Sequence, residues 1–277
     1  MDIDIDKIVK ENSKSNFFYS FSFLPGHKQK AINIIYSFCQ ISDEIADCSL
    51  PADIKRKNLE EWRAELNMAF SSSSSIDILN KTFTTAKKFN IPKTLFFELL
   101  EGMEMDLNNR RFKNYAELEV YCYKVASVVG LMTSKIFGYR NPETEKYAIT
   151  LGKAFQITNI LRDVKNDYKM GRVYLPYDDL SRFGITETDI AKGVMTDSLY
   201  SLLSEYYQKA LNYYAEAETL LHPPDRKNFK AALIMKNIYF AILKKIKARN
   251  LDVFNYSFKL SKFEKIRISL STFLFYK

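Results

Sequence analysis

Apolar residues along the chain recur at intervals of three and four, the repeat of a helix with one buried face. In HKQKAINIIYSFCQISDEIAD, Ile34, Ile35, Phe38, Ile41 and Ile45 make such a stripe. The segment SLPADIKRKNLEEWRAELNMAF opens on a proline near its start and carries Leu59, Trp62, Leu66 and Phe70 on one side. DILNKTFTTAKKFN and PKTLFFELLEGMEMDLNN read as two more helices divided near Pro92. NYAELEVYCYKVASVVGLMTSKIFGY follows, then a break at RNPET, and then a long helix running through Gln156. GRVYLPYDDLSRFGI is the one clearly irregular segment. Beyond it, SLYSLLSEYYQKALNYYAEAETLL and NFKAALIMKNIYFAILKKIKARN are helices on either side of HPPD. No fixed-period repeat and no linker composition interrupts them, so the pattern predicts a single all-α domain, residues 1–277, of about ten helices.

Composition agrees with that pattern. Only 8 Gly and 7 Pro in 277 residues argue against a turn-rich β protein, and 47% hydrophobic content is ample for a large core. The acidic, polar start MDIDIDKIVKENSKS is not a signal peptide, and no apolar run approaches the ~20 residues of a spanning helix. Cys39, Cys48 and Cys122 lack metal-ligand spacing and there are only 2 His, so neither zinc nor a disulfide framework is expected. These features point to a cytoplasmic chain. The net charge of +8 suits an anionic partner, a phosphorylated substrate or a membrane surface among them. Basic residues are dispersed among acidic ones and no nucleic-acid motif occurs, so no nucleic-acid partner is expected.

Charge placement narrows the chemistry. In QITNILRDVKNDYKMGRVYLP, Asn159, Asp163 and Asp167 follow one another at every fourth residue and so form one line of oxygen ligands. Stacked like charges at this spacing cost a helix a few tenths of a kcal/mol, roughly, per pair. Asp43 and Asp47 repeat the spacing on an earlier helix, with Tyr36 and Gln40 on or near the same face. Mg²⁺ takes oxygen ligands and is commonly shared between carboxylates and substrate phosphates. Two facing rows of this kind could hold a Mg²⁺–diphosphate cluster, with Arg162, Arg172 and Lys165 on the remaining phosphate oxygens. Acidic pairs are also what a solvated helix face carries, and from spacing alone both readings stand.

FFYSFSFLPGHKQKAINIIYSFCQISDEIAD, YCYKVASVVGLM and LGKAFQITNILRDVKNDYKMGRVYLP resemble the three signature blocks of the squalene/phytoene synthase family. The similarity runs in register from Phe17 to Ile185, with a weaker match at MKNIYFAIL. The resemblance implies an isoprenoid (terpenoid) synthase fold around a central apolar cavity. It also implies Mg²⁺ and head-to-head (1′-1) joining of two prenyl diphosphates through a cyclopropylcarbinyl diphosphate. On that implication Asp43, Asp47, Asn159, Asp163 and Asp167 hold the metal. Arg162 and Arg172 add fixed positive charge, and Gln156 sits one turn further toward the reacting carbons. Tyr36, Tyr121 and Tyr239 line the region of the cation, with Phe17, Phe21, Ala126 and Gly130. Ser15 and Asn16 occupy the place of a serine-rich phosphate contact. The chain departs from the family pattern at Gln40, where an arginine is common, and at Asp43-Glu44, often Asp-Asp. The first departure leaves one diphosphate with less positive charge around it, which either weakens its binding or is compensated by Lys14, Lys28 or Lys30.

VGLMTSKIFGY looks most like the bacterial branch that makes presqualene diphosphate from two farnesyl diphosphates on the way to squalene and hopanoids. Squalene or dehydrosqualene synthesis ranks second and phytoene synthesis from geranylgeranyl diphosphate third. A catalytically inactive prenyl diphosphate-binding homologue is the non-enzyme alternative. No Gly-x-Gly-x-x-Gly fingerprint occurs and NADPH is not indicated, although this family would not need that motif to use it. KLSKFEKIRISLSTFLFYK is too short and too charged to span a bilayer. It reads either as an ordinary packed last helix, which ranks slightly ahead, or as an interfacial helix making peripheral contact with the inner membrane face.

Overall fold

The computed structural model describes residue 5 and residues 20–275; Ser15, Asn16 and Phe17 lie outside them. Among the described residues the chain is helical and contains no strand. In chain order the helices are α1 (Gly26–Asp47), α2 (Ala52–Ser71), α3 (Asp77–Phe89), α4 (Lys93–Leu107) and α5 (Tyr115–Cys122). A π-helical turn, Tyr123–Ser127, joins α5 to α6 (Val128–Phe137), and the long α7 follows (Thr144–Lys169). Then come α8 (Tyr177–Arg182), α9 (Glu187–Lys192), α10 (Asp197–Leu220), α11 (Lys230–Ala248) and α12 (Lys262–Phe275).

Local chemistry sets many of the boundaries. Pro25, Pro51, Pro92 and Pro176 each stand immediately before a helix, where a missing N–H costs nothing and the extended backbone of proline turns the chain inward. Asn114 and Thr196 cap α5 and α10 with their side chains, and Thr186 makes a reciprocal capping box with Asp189 at α9. The segment 171–185, irregular by sequence pattern, contains α8. Six-residue helices such as α8 and α9 are too short to show a periodic stripe, so the pattern does not reveal them.

Helix α7 is the central element, packed by α5, the π turn, α6, α9, α10 and α11. On α1, Ile32, Ile35, Phe38, Ile41 and Ile45 are fully buried. Each contributes roughly 1.5–3 kcal/mol through removal from water. Phe38 stacks on Trp62 of α2 at 5.8 Å, and the Trp62 indole N–H donates to Ser42 Oγ at 3.0 Å. Those contacts hold one side of α1 on the core, so its opposite side, with Tyr36, Asp43 and Asp47, faces a central hollow. The π turn is held close to α7 at Gly152, where a Cβ would lie 2.6 Å from Ser127 Cα. Such turns inside helices bend the backbone and re-aim side chains. Here the turn brings Val125 and Ala126 to the cavity wall.

Candidate active site

The cavity has a volume of about 440 Å³. Helix α1 supplies Tyr36, Asp43 and Asp47, and α7 supplies Gln156, Asn159, Arg162, Asp163 and Asp167. Tyr121, Ala126 and Gly130 come from the α5–α6 arm, Tyr239 from α11, and Phe21 from the segment before α1. The two acidic rows therefore border one space. At the other end Phe137, Tyr147 and Phe229, all buried, make an apolar floor.

The glycine break after α7 is what completes the acidic end. Gly171, at φ +78°, lets the Arg172 N–H return to the Asp167 carbonyl at 2.8 Å and the Gly171 N–H to that of Tyr168 at 2.9 Å. The helix ends there, and the Arg172 guanidinium reaches α1. It donates to Asp47 Oδ1 at 2.6 Å and to the Ala46 carbonyl at 3.2 Å. Burial opposes the Arg172 charge, but Asp106, Tyr174 and Asp47 outweigh it and hold the group firmly protonated. Arg162 lies back against its neighbour Asp163, its Nε donating at 2.9 Å.

Asp106 on α4 is a site residue that motif reading missed. It is 8% exposed and accepts from Tyr121 OH at 2.9 Å and Tyr174 OH at 2.7 Å. The two tyrosine rings stack at 5.0 Å. Burial pushes the Asp106 carboxyl up to about 6, against the opposing pull of Arg172 and the two hydroxyls. The available signal was its position: Leu99, Met103 and Asp106 lie on one helical face, so a lone aspartate follows two buried apolar residues.

The acidic rows repel. Asp43 opens onto the cavity and meets solvent there, yet protein encloses it on most sides; that enclosure, then Asp47 and Asp106, push it up to about 7. Asp167 rises to about 8, from burial first and Asp163 second. Asp106 and Arg172 act on both carboxyls, which places the two rows in one electrostatic cluster. Asn159 Oδ1 is buried with no hydrogen-bond partner. Crowded oxygen donors with one unmet acceptor fit a hard divalent cation. Among the described residues no three His, Cys, Asp or Glu side chains form a ready-made metal cluster. A cation held here must therefore draw further ligands from water or phosphate.

Three sequence expectations are corrected by position. Lys165 turns away from the cavity and donates to the Phe254 carbonyl at 2.7 Å, because its place on α7 falls on the side facing the 251–260 segment. Gln40 is not among the residues that line the cavity; its Nε2 donates to Tyr36 OH at 3.3 Å, one turn along the helix. Lys28 is engaged with the Phe137 carbonyl at 2.5 Å and so does not stand in for the missing arginine. Tyr239 stacks on Phe155 at 4.5 Å, which makes an aromatic wall between the acidic row of α7 and the apolar end.

An all-helical fold with an acidic, arginine-bridged end and an apolar floor is that of a terpenoid synthase, built to hold a polar head and a hydrocarbon tail. The squalene/phytoene synthase family profile matches residues 10–264. A presqualene diphosphate synthase of Rhodopseudomonas palustris is 32% identical over 257 residues, covering 92% of each chain. A 15-cis-phytoene synthase of Synechocystis sp. is 32% identical over 264 residues, covering 91% of this chain and 78% of that one. Among solved structures, a dehydrosqualene synthase superposes with a TM-score of 0.84 at 29% identity, covering 97% of this chain and 93% of the other. The chain belongs to the squalene/phytoene synthase family, prenyltransferases that use prenyl diphosphates.

Proposed function

We propose that this chain joins two farnesyl diphosphates head to head (1′-1), releasing diphosphate and forming presqualene diphosphate. One observation carries the reading: two acidic rows and Arg172 converge at one end of a cavity whose other end is apolar. Asp43, Asp47, Asn159, Asp163 and Asp167 would hold Mg²⁺ together with phosphate oxygens of the substrate. When bound, the metal would neutralise charge developing on the departing diphosphate. Arg172, already fixed by Asp47, and Arg162 keep further N–H groups for phosphate oxygens. Departure of diphosphate leaves an allylic cation, which must be kept from water. Tyr239 on Phe155, and Tyr121 on Tyr174, offer ring faces to it, worth up to about 2 kcal/mol each when desolvated. Tyr121 and Tyr174, both on the cavity lining, donate their hydroxyl protons to Asp106.

The second reading is phytoene synthesis from two C20 diphosphates, favoured by the equal 32% identity to a relative of that name. Mass spectrometry of products from C15 and C20 diphosphates, with Mg²⁺ and with or without NADPH, tests both. Presqualene diphosphate from the C15 substrate, unchanged by NADPH, is expected. Turnover of the C20 substrate alone, or no diphosphate release from either, overturns the proposal.

A further inference from the structure

Helix α12 turns most of its large apolar side chains outward. Its inward side carries polar residues: Ser269 is 2% exposed and Thr272 5%, and Thr272 Oγ1 accepts from Asn237 Nδ2 at 2.8 Å. Ile268 and Phe273 are the apolar residues on that side, both packed against the core, with Phe273 stacked on Phe23 at 4.6 Å and covered by Lys230 at 4.7 Å from its ring. The outward side is apolar. Phe263 is 75% exposed, Ile266 44%, Leu270 48% and Leu274 65%. These positions recur at intervals of three and four, so they form one continuous stripe along the helix. Isolated exposed apolar residues are ordinary, but a whole stripe turned to water while polar residues are buried beneath it is not.

Charge at the rim of the stripe says what covers it. Lys259, Lys262 and Arg267 are exposed beside it. The acidic residue of the helix, Glu264, is occupied by Lys245 at 2.8 Å. Apolar side chains rimmed by cations match an anionic bilayer, whose headgroups take the cations while the upper acyl chains take the rings and aliphatics. Among the described residues no helix is long and apolar enough to cross a membrane, so the contact is one of lying on the surface. Helix α12 packs on α11, whose Ala232, Met235 and Tyr239 line the cavity.

We infer that the outer face of α12 is a docking surface for an anionic lipid bilayer, seating the cavity beside the membrane. The benefit to a prenyl-tailed substrate or product rests on the function proposed above; the docking does not. It is tested by co-sedimenting the full chain, without substrate or metal, with phosphatidylcholine vesicles and with vesicles that also contain phosphatidylglycerol. The chain should bind the anionic vesicles and release them as salt is raised. Phe263→Ser with Leu270→Ser and Leu274→Ser should lower that binding about 100-fold. Lys262→Glu with Arg267→Glu should lower it about 20-fold and erase the preference for phosphatidylglycerol. Both variants should melt like the parent and consume detergent-dispersed substrate at its rate, because none of these residues reaches the cavity. Should the serine variant not fold, the charge variant decides alone. Absence of vesicle binding by the parent, or undiminished binding by the variants, overturns the inference. So does a parent dimer that the serine variant converts to monomer, which makes the stripe a contact between copies. Vesicle binding without prenyl turnover overturns the proposed reaction instead and leaves the docking standing.

Discussion

Replacing Asp106 by asparagine should make the metal-free protein more stable and the enzyme slower. The side chain is 8% exposed, and burial raises its pKa from 3.8 to about 6 despite Arg172 and two hydroxyl donors. A group whose folded pKa lies above its unfolded value holds its proton more tightly when folded. Stability is then intact near pH 4 and falls as pH rises through the folded pKa, by about 3 kcal/mol for this displacement. Asparagine keeps the shape and drops the charge. Its Oδ1 accepts from one tyrosine hydroxyl, and its Nδ2 donates to the other. Parent and variant should therefore melt alike near pH 4, whereas at about pH 8 the variant should melt roughly 6 °C higher. Diphosphate release should fall at least about tenfold, because the anion that fixes both tyrosine hydroxyls and supports Arg172 is gone. Thermal unfolding monitored by circular dichroism across that pH range, beside a diphosphate-release assay at pH 8, gives both numbers. A variant that melts at or below the parent at pH 8 refutes the reasoning, since the bonds to Tyr121 and Tyr174 would then outweigh the cost of the buried charge.

Asp163→Asn should lower turnover by a factor of about 100 or more with the fold unchanged, since it removes one charge from the proposed metal row; near-parental rates in a steady-state assay refute that role. Tyr239→Ala removes the ring stacked on Phe155 at 4.5 Å and should alter the product spectrum more than substrate consumption, as read by mass spectrometry. Gly152→Ala places a Cβ 2.6 Å from Ser127 Cα, backbone that cannot swing aside, and should cost about 1–3 kcal/mol in a denaturant titration. Asp43 and Asp167, raised to about 7 and about 8, hold their protons more tightly in the folded metal-free chain than in the unfolded one. Metal-free melting temperature should thus fall as pH rises from near 4 toward 8, and Mg²⁺ with inorganic diphosphate should flatten the decline. A metal-free protein that gains stability over that range, or one that Mg²⁺ with diphosphate leaves unchanged, counts against the assignment.

Much of this architecture is readable before any coordinates, because it is written in local periodicity. The stripe on α1 and the four-residue spacing of Asp43 with Asp47, and of Asn159, Asp163 and Asp167, are properties of a helix that no distant residue has to supply. Gly171, too, announces a turn by its identity alone. What that turn accomplishes is different: Arg172 meets Asp47 across 125 positions of sequence. Asp106 gathers hydroxyls 15 and 68 positions away. No spacing rule links α4, α5 and the loop after α7, so their meeting is settled only by how the core packs. The same holds for side-chain direction. Lys165 belongs to the acidic helix yet points to Phe254, and α12 turns its apolar stripe outward, against what periodicity by itself would predict. Periodicity says which residues share a face; which way that face looks depends on the neighbours that bury the other one.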